Sequence, residues 1–109
     1  MIIYTANIIL SYILLGVEVN RIYVLDRVVE RRPDLTKEDA AAAWANCVRS
    51  MPRIGKEPEE HVGIGYDGAG RPIEVVAVRN SSGDWLIKHA QYPPQGRTKR
   101  ELGFVRRVK

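Results

Sequence analysis

The sequence predicts an α+β fold: two N-terminal helices packed on an antiparallel sheet of three to four strands, closed by a short C-terminal helix or basic tail. Apolar residues recur every three or four positions between Ile22 and Met51, which is the period of a helix face. From His61 onward the period shortens to two, which is that of a half-buried strand. The tetrads Asp67-Gly-Ala-Gly70 and Asn80-Ser-Ser-Gly83 then divide the second half into hairpin-connected strands. A chain of 109 residues supports one modest core. Residues 21–109 are therefore read as a single domain, preceded by an apolar segment at 1–20.

That segment begins with seventeen uncharged residues, Met1–Val17. A membrane span needs about 20 predominantly apolar residues. This run is shorter, is interrupted by Thr5, Asn7 and Ser11, and lacks the basic start of a secretory signal. It is read as a buried strand or helix, or as an upstream extension from a misplaced start, with a membrane anchor ranked last. Ile22, Leu25, Val28 and Val29 then predict a first helix over 21–31, with Arg21, Arg27, Glu30 and Arg31 on its outer side. Arg32-Pro33 ends it, because the residue before proline is pushed out of the helical region.

The second helix starts at Thr36, whose side chain can cap it while Asp39 reaches back in a short-acid capping box. Ala40, Ala43, Trp44, Cys47, Val48 and Met51 form its apolar stripe, and Pro52 stops it. Residues 52–60 read as a loop. Strands follow at 61–66, 71–79 and 84–91, then a rigid linker, Tyr92-Pro-Pro-Gln-Gly96, and a helical turn or two over 97–104.

Charge is distributed unevenly. Residues 97–109 carry six Lys/Arg against one acid, a net of +5, whereas the whole chain is +4 and so residues 1–96 come to −1. A basic segment and a pI near 9.5 point toward acidic partners, nucleic acid above all. A single cysteine excludes an internal disulfide and, with only two histidines, argues against a Cys/His structural zinc site. A reducing cytoplasm is the expected compartment. The acids show no metal-ligand spacing, so no metal or other cofactor is expected. Cys47, on an apolar stripe, reads as an inert buried thiol. Gly63-x-Gly65 and Gly68-x-Gly70 read as hairpin glycines, since no helix follows them as a phosphate loop requires.

The chemistry that remains is proton transfer beside cations. His89 ends the last strand and is a neutral-pH proton carrier. Strict alternation places it with Trp85 and Ile87 and turns Lys88 to the opposite face, unless a bulge intervenes. On the core face it would be a hydrogen-bonded structural histidine. Metal-free RNA cleavage needs a base for the ribose 2′-hydroxyl, an acid for the leaving oxygen, and cations for the charge on phosphorus. His89 or His61 can move protons. Arg71, Arg79, Arg97 and Arg100 can stabilise charge. Glu101, or Glu59 and Glu60, can act as a base or orient a cation. Lys88 and Lys99 can hold phosphates, and Tyr66, Trp85 and Tyr92 can stack on unpaired bases. This requires the cations of the last two strands and the tail to converge on one exposed surface.

Four stretches, His61-Val-Gly-Ile-Gly-Tyr66, Gly70-Arg-Pro-Ile-Glu-Val-Val-Ala-Val-Arg79, Asp84-Trp-Leu-Ile-Lys-His-Ala90 and Arg97-Thr-Lys-Arg-Glu101, resemble the BrnT-like branch of the RelE-type bacterial toxins. The resemblance is loose over residues 21–102 and better over 61–101. It implies a compact ribonuclease that blocks translation, acts on RNA free or on the ribosome, and forms an oligomer with a cognate antitoxin or with itself, away from membranes. On that reading His89, Arg79, Arg97, Arg100 and Glu101 are catalytic, and Arg71, Lys88, Lys99 and Tyr92 bind RNA. The chain departs from the pattern at Gln91, where the family carries an arginine after the small-residue–Ala pair, and in its longer proline-rich linker. The departures imply that the catalytic arginine has moved, with Arg97 a replacement, or that activity is lost. The alternative from another class is a non-catalytic module, a degenerate toxin-like domain or small regulator, that binds nucleic acid or an acidic protein segment.

Overall fold

A mixed sheet organises the chain, and this overturns the expected pair of N-terminal helices on an antiparallel sheet of three to four strands. The computed structural model describes residues 8–11, 21–56 and 59–104. In chain order the elements are β1 (Ile8–Ser11), β2 (Arg21–Val24), α1 (Asp26–Arg31), α2 (Lys37–Ala45), β3 (Cys47–Arg53), β4 (Glu60–Tyr66), β5 (Pro72–Arg79), β6 (Trp85–Gln91) and α3 (Gly96–Glu101). Five strands lie in the order β2-β6-β5-β4-β3, and the short β1 lines the outer side of β2. The β2–β6 pair is parallel and the others are antiparallel. The expected core of the sheet, the β4–β5–β6 meander, is present within these bounds. Strand β1 comes from the apolar segment; residues 1–7 and 12–20 of that segment, like the basic end at 105–109, lie outside the described residues.

Two stretches expected to be helical are strands. In Arg21-Ile-Tyr-Val24 the β-branched and aromatic side chains favour the pleated conformation. Ile22 and Val24 are buried and Tyr23 half-buried, a period of two that the wider spacing with Val28 conceals. The helix begins only at Asp26, with an acid in its first turn. The second helix starts as expected, with the Thr36–Asp39 capping box formed in both directions. It stops at Ala45, six residues before the predicted end, and Cys47, Val48 and Met51 join β3 instead. Pro52 does not end a helix; it sits in the edge strand, where a missing N–H costs no ladder bond.

Two glycines bring α2 and β3 onto β4, a role different from the hairpin one expected of them. A Cβ at Gly65 would stand 1.8 Å from the Ala43 carbonyl oxygen, and one at Gly63 would stand 2.4 Å from Cys47 Sγ. The hairpin turn itself is closed by Asp67, whose carboxylate accepts from the N–H groups of Ala69 and Arg71 at 2.9 and 2.8 Å. Gly70 completes it with φ +82.

The two faces of the sheet are covered differently. On one, α1 and α2 enclose Ile22, Val24, Ile73, Val75, Ala77, Ile87 and Ala90 together with Trp44 and the alanines of α2. On the other, α3 covers only Val62, Ile64, Val76 and its own Leu102. Among the described residues, no helix is long and apolar enough to cross a membrane.

Candidate active site

The alternation expected along β6 fails at one residue. His89 stands opposite Val76, but Ile87 stands opposite Ala77, so Lys88 is an extra residue, a β-bulge. The bulge separates His89 from Ile87, which is fully buried on the α1/α2 face, and places it on the face of Val76 with Glu74. His89 is therefore no core histidine; about a third of its side chain (34 %) reaches solvent.

There its Nε2 meets Oε2 of Glu74 at 2.8 Å. Glu74 is the most deeply buried acid of the described chain, 1 % exposed. Burial alone would raise its pKa. The bond with His89 and two from Gln95, backbone N–H at 2.9 Å and side-chain amide at 2.8 Å, more than offset that and hold the carboxyl at about 2, below its ordinary 4.5. Thr98, a buried hydroxyl on α3, also lowers it, although its Oγ1 meets no hydrogen-bond geometry. Glu74 is thus a fixed anion that orients the ring. No described residue pairs with the other ring nitrogen, Nδ1.

Strand β2 ends opposite Ile87, so the last residues of β6 have no strand beside them on that side. A cavity of about 190 Å³ opens there, lined by Val28, Arg31, Arg32, Lys88, His89 and Ala90. Arg31 and Arg32, at the end of α1, form no ion pair with any described residue. Lys88 is shared with Glu60, which is nearly buried; the Lys88 hydrogen bond lowers the Glu60 carboxyl below its usual range, with Arg53 assisting from 3.7 Å. The site therefore combines an imidazole backed by a carboxylate with two unpaired guanidiniums.

Among the described residues the strand cations and those of α3 do not converge on one surface; Arg106, Arg107 and Lys109 of the expected basic tail lie outside the described residues. Arg71 and Arg79 bracket β5, on the order of 25 Å apart at the rise of an extended strand. Arg71 is spent on structure: it pairs with Asp67 at 2.8 Å and Asp39 at 3.2 Å and lies over Tyr92. Arg79 stands opposite Trp85, stacks on its ring, and donates to the Gly83 carbonyl. That places it on the sheet face opposite to His89. Glu101 is ion-paired with Arg53 at 3.2 Å rather than free to act as a base. Arg97, Lys99 and Arg100 lie on α3, and Arg100 faces a groove beside β3, apart from the His89 cavity. His61 packs edge-on against Trp85 and pairs with Glu59 at 2.6 Å. Cys47 is half-buried in β3, and burial raises its pKa, so it remains a thiol. Among the described residues no three His, Cys, Asp or Glu side chains gather closely enough to hold a metal ion.

Of the expected site residues, only His89 and Lys88 share the cavity. Glu74, Gln95, Arg31 and Arg32 are not among the site residues expected from the sequence. Glu74 did leave a signal, being a lone carboxylate inside the apolar run Ile73–Val78. The arginines left none, since Arg31 reads as the solvated face of a helix. Comparisons with family profiles, with curated proteins and with solved structures find no match to this chain.

Proposed function

We propose that the protein is a metal-independent ribonuclease with His89 as its proton-transfer group, a toxin-like activity that inhibits translation in the cytoplasm and is restrained by a cognate antitoxin. The single observation that carries the reading is the bulge at Lys88, which backs the His89 imidazole with the Glu74 carboxylate, His89 itself lining one cavity with Arg31 and Arg32. In this scheme the guanidiniums hold the phosphoryl oxygens of the scissile nucleotide. His89 accepts the 2′-hydroxyl proton as that oxygen attacks phosphorus. The bond to the 5′-oxygen breaks, leaving a 2′,3′-cyclic phosphate, and solvent protonates the leaving oxygen. Glu74 contributes indirectly, by orienting the ring and stabilising the imidazolium that forms.

The test is RNA breakdown by purified protein, together with growth on expression in the absence of a partner. Loss of general-base catalysis in His89→Ala should slow cleavage by about 10²–10⁴-fold. The double substitution Arg31→Ala/Arg32→Ala should weaken RNA binding and flatten its salt dependence by about two counterions. Binding that keeps its salt dependence without any cleavage, and without growth inhibition, would replace the enzyme by a non-catalytic RNA-binding module.

A further inference from the structure

We propose that β3 and the groove beside it form a docking site for an extended acidic and apolar segment of a partner protein, which joins the sheet as an added strand. The inference does not depend on the ribonuclease reading, because the groove and the His89 cavity share no lining residue.

The sheet ends at β3, so the outer backbone groups of this seven-residue strand have no strand partner among the described residues. An open edge of that length is a template for another chain. Pro52 stands in the ladder opposite His61 and has no N–H to give, so its nitrogen faces outward at no cost. Ser50, two residues back, shares that outward orientation and supplies the next free donor and acceptor. Arg49 faces inward instead, its carbonyl accepting from Cys47 Sγ on the β4 side.

A groove of about 710 Å³ runs between this strand and the end of α3. Its wall is partly apolar, with Val48 55 % and Met51 38 % exposed. Phe104, also exposed, lies under the Arg49 guanidinium, which fastens β3 to the Leu102 carbonyl at 3.1 Å. Charge selects the occupant. Residues 47–56 carry Arg49, Arg53 and Lys56 and no acid, and Arg100 lines the groove from α3 without a described partner. Arg53 is already paired with Glu60 and with Glu101, the one acid of the groove, so the excess charge comes from Arg49, Lys56 and Arg100. A second copy of β3 would bring like charges together, which disfavours self-pairing. Nucleic acid would leave the strand's backbone groups and the exposed Val48 and Met51 unused. An extended segment alternating acids with apolar residues satisfies the backbone, the apolar wall, and Arg49 and Arg100, which have no carboxylate of their own among the described residues.

The probe is a fluorescently labelled synthetic peptide of alternating Glu and Val, about strand length, compared with its Lys-for-Glu counterpart and a single-stranded RNA oligonucleotide. Full-length protein should bind the acidic peptide, should not bind the basic one, and on binding should slow hydrogen exchange at the Ser50 amide. Arg100→Glu should weaken that binding about tenfold, with the largest effect at low salt. Ser50→Pro, which removes the outward donor, should weaken it about fivefold. If Ser50→Pro does not fold, Arg100→Glu and the exchange rate at Ser50 decide the matter alone. The proposal is overturned by absence of peptide binding, by equal binding of the two peptides, by unchanged exchange at Ser50, or by displacement of the acidic peptide by the RNA.

Discussion

The two faces of the sheet differ in what covers them, and chemistry follows the poorer cover. Helices α1 and α2 seal one face over a continuous apolar cluster from Ile22 to Ala90, with the Cys47 thiol at its margin and the polar side chains of His61 and Arg79 set against Trp85 at its edge. The other face carries the six-residue α3 and four buried apolar side chains, and beside them Glu60, Glu74, Lys88 and His89. A buried carboxylate survives only where donors reach it. Glu74 finds three, from His89 and Gln95. A site of this kind needs partial cover: complete cover would expel the charges, and none would leave the imidazole fully hydrated and unoriented.

The sealed face should be the less tolerant of shape. Gly65→Ala drives a methyl against backbone that cannot move aside. It should cost about 3 kcal/mol or more, read as a lowered denaturation midpoint. A neutral result would mean that α2 does not pack on β4 so closely.

The charged face should respond to pH instead. Glu74 has a folded pKa near 2 against an ordinary 4.5. Its ionised form therefore stabilises the protein above pH 4.5, and that contribution fades as pH falls through 2; at neutral pH it amounts to at most about 3 kcal/mol. Glu74→Gln should remove this dependence, because its amide must set a donor against His89 or Gln95. Stability measured from pH 6 to 2 should then fall less steeply in the variant than in the parent, the remaining slope coming from Glu60 and Asp67, whose carboxyls are also held below their ordinary range.

A smaller effect is expected from Glu60→Gln, which frees Lys88 and half-frees Arg53. The loss should be about 1–2 kcal/mol, since removing one member of a partly buried network strands the other charges. If His89 also shifts its titration by nuclear magnetic resonance, the Lys88 bulge depends on that ion pair. Thr98→Val should change stability by less than about 1 kcal/mol, because a buried hydroxyl without a good partner gives up little when replaced by a methyl.

Much of the local structure was legible in order along the chain. Thr36 and Asp39 mark a helix start because capping is a local hydrogen-bond pattern. The turns at Asp67 and Asn80 are likewise decided within four residues. Legibility ended where an alternative partner competed. Cys47–Met51 fits the helical stripe equally well, but the room left on β4 by Gly65 is taken by the end of α2 and that left by Gly63 by Cys47 and Arg49 of β3, so the chain leaves the helix there. The glycines were visible; the neighbour that needs them was not.

The sequence by itself determined the short-range choices: the caps, the turns, the meander, the lone acid in β5 and the position of a histidine at the end of β6. Only the tertiary structure decided that β2 runs parallel to β6, that one inserted residue at Lys88 moves His89 to the face of Glu74, and that its neighbouring cations are Arg31 and Arg32 rather than Arg71 or Arg79. The physical reason is that side-chain alternation is set by counting within one strand, whereas a bulge and a parallel pairing are set by registers between strands far apart in sequence.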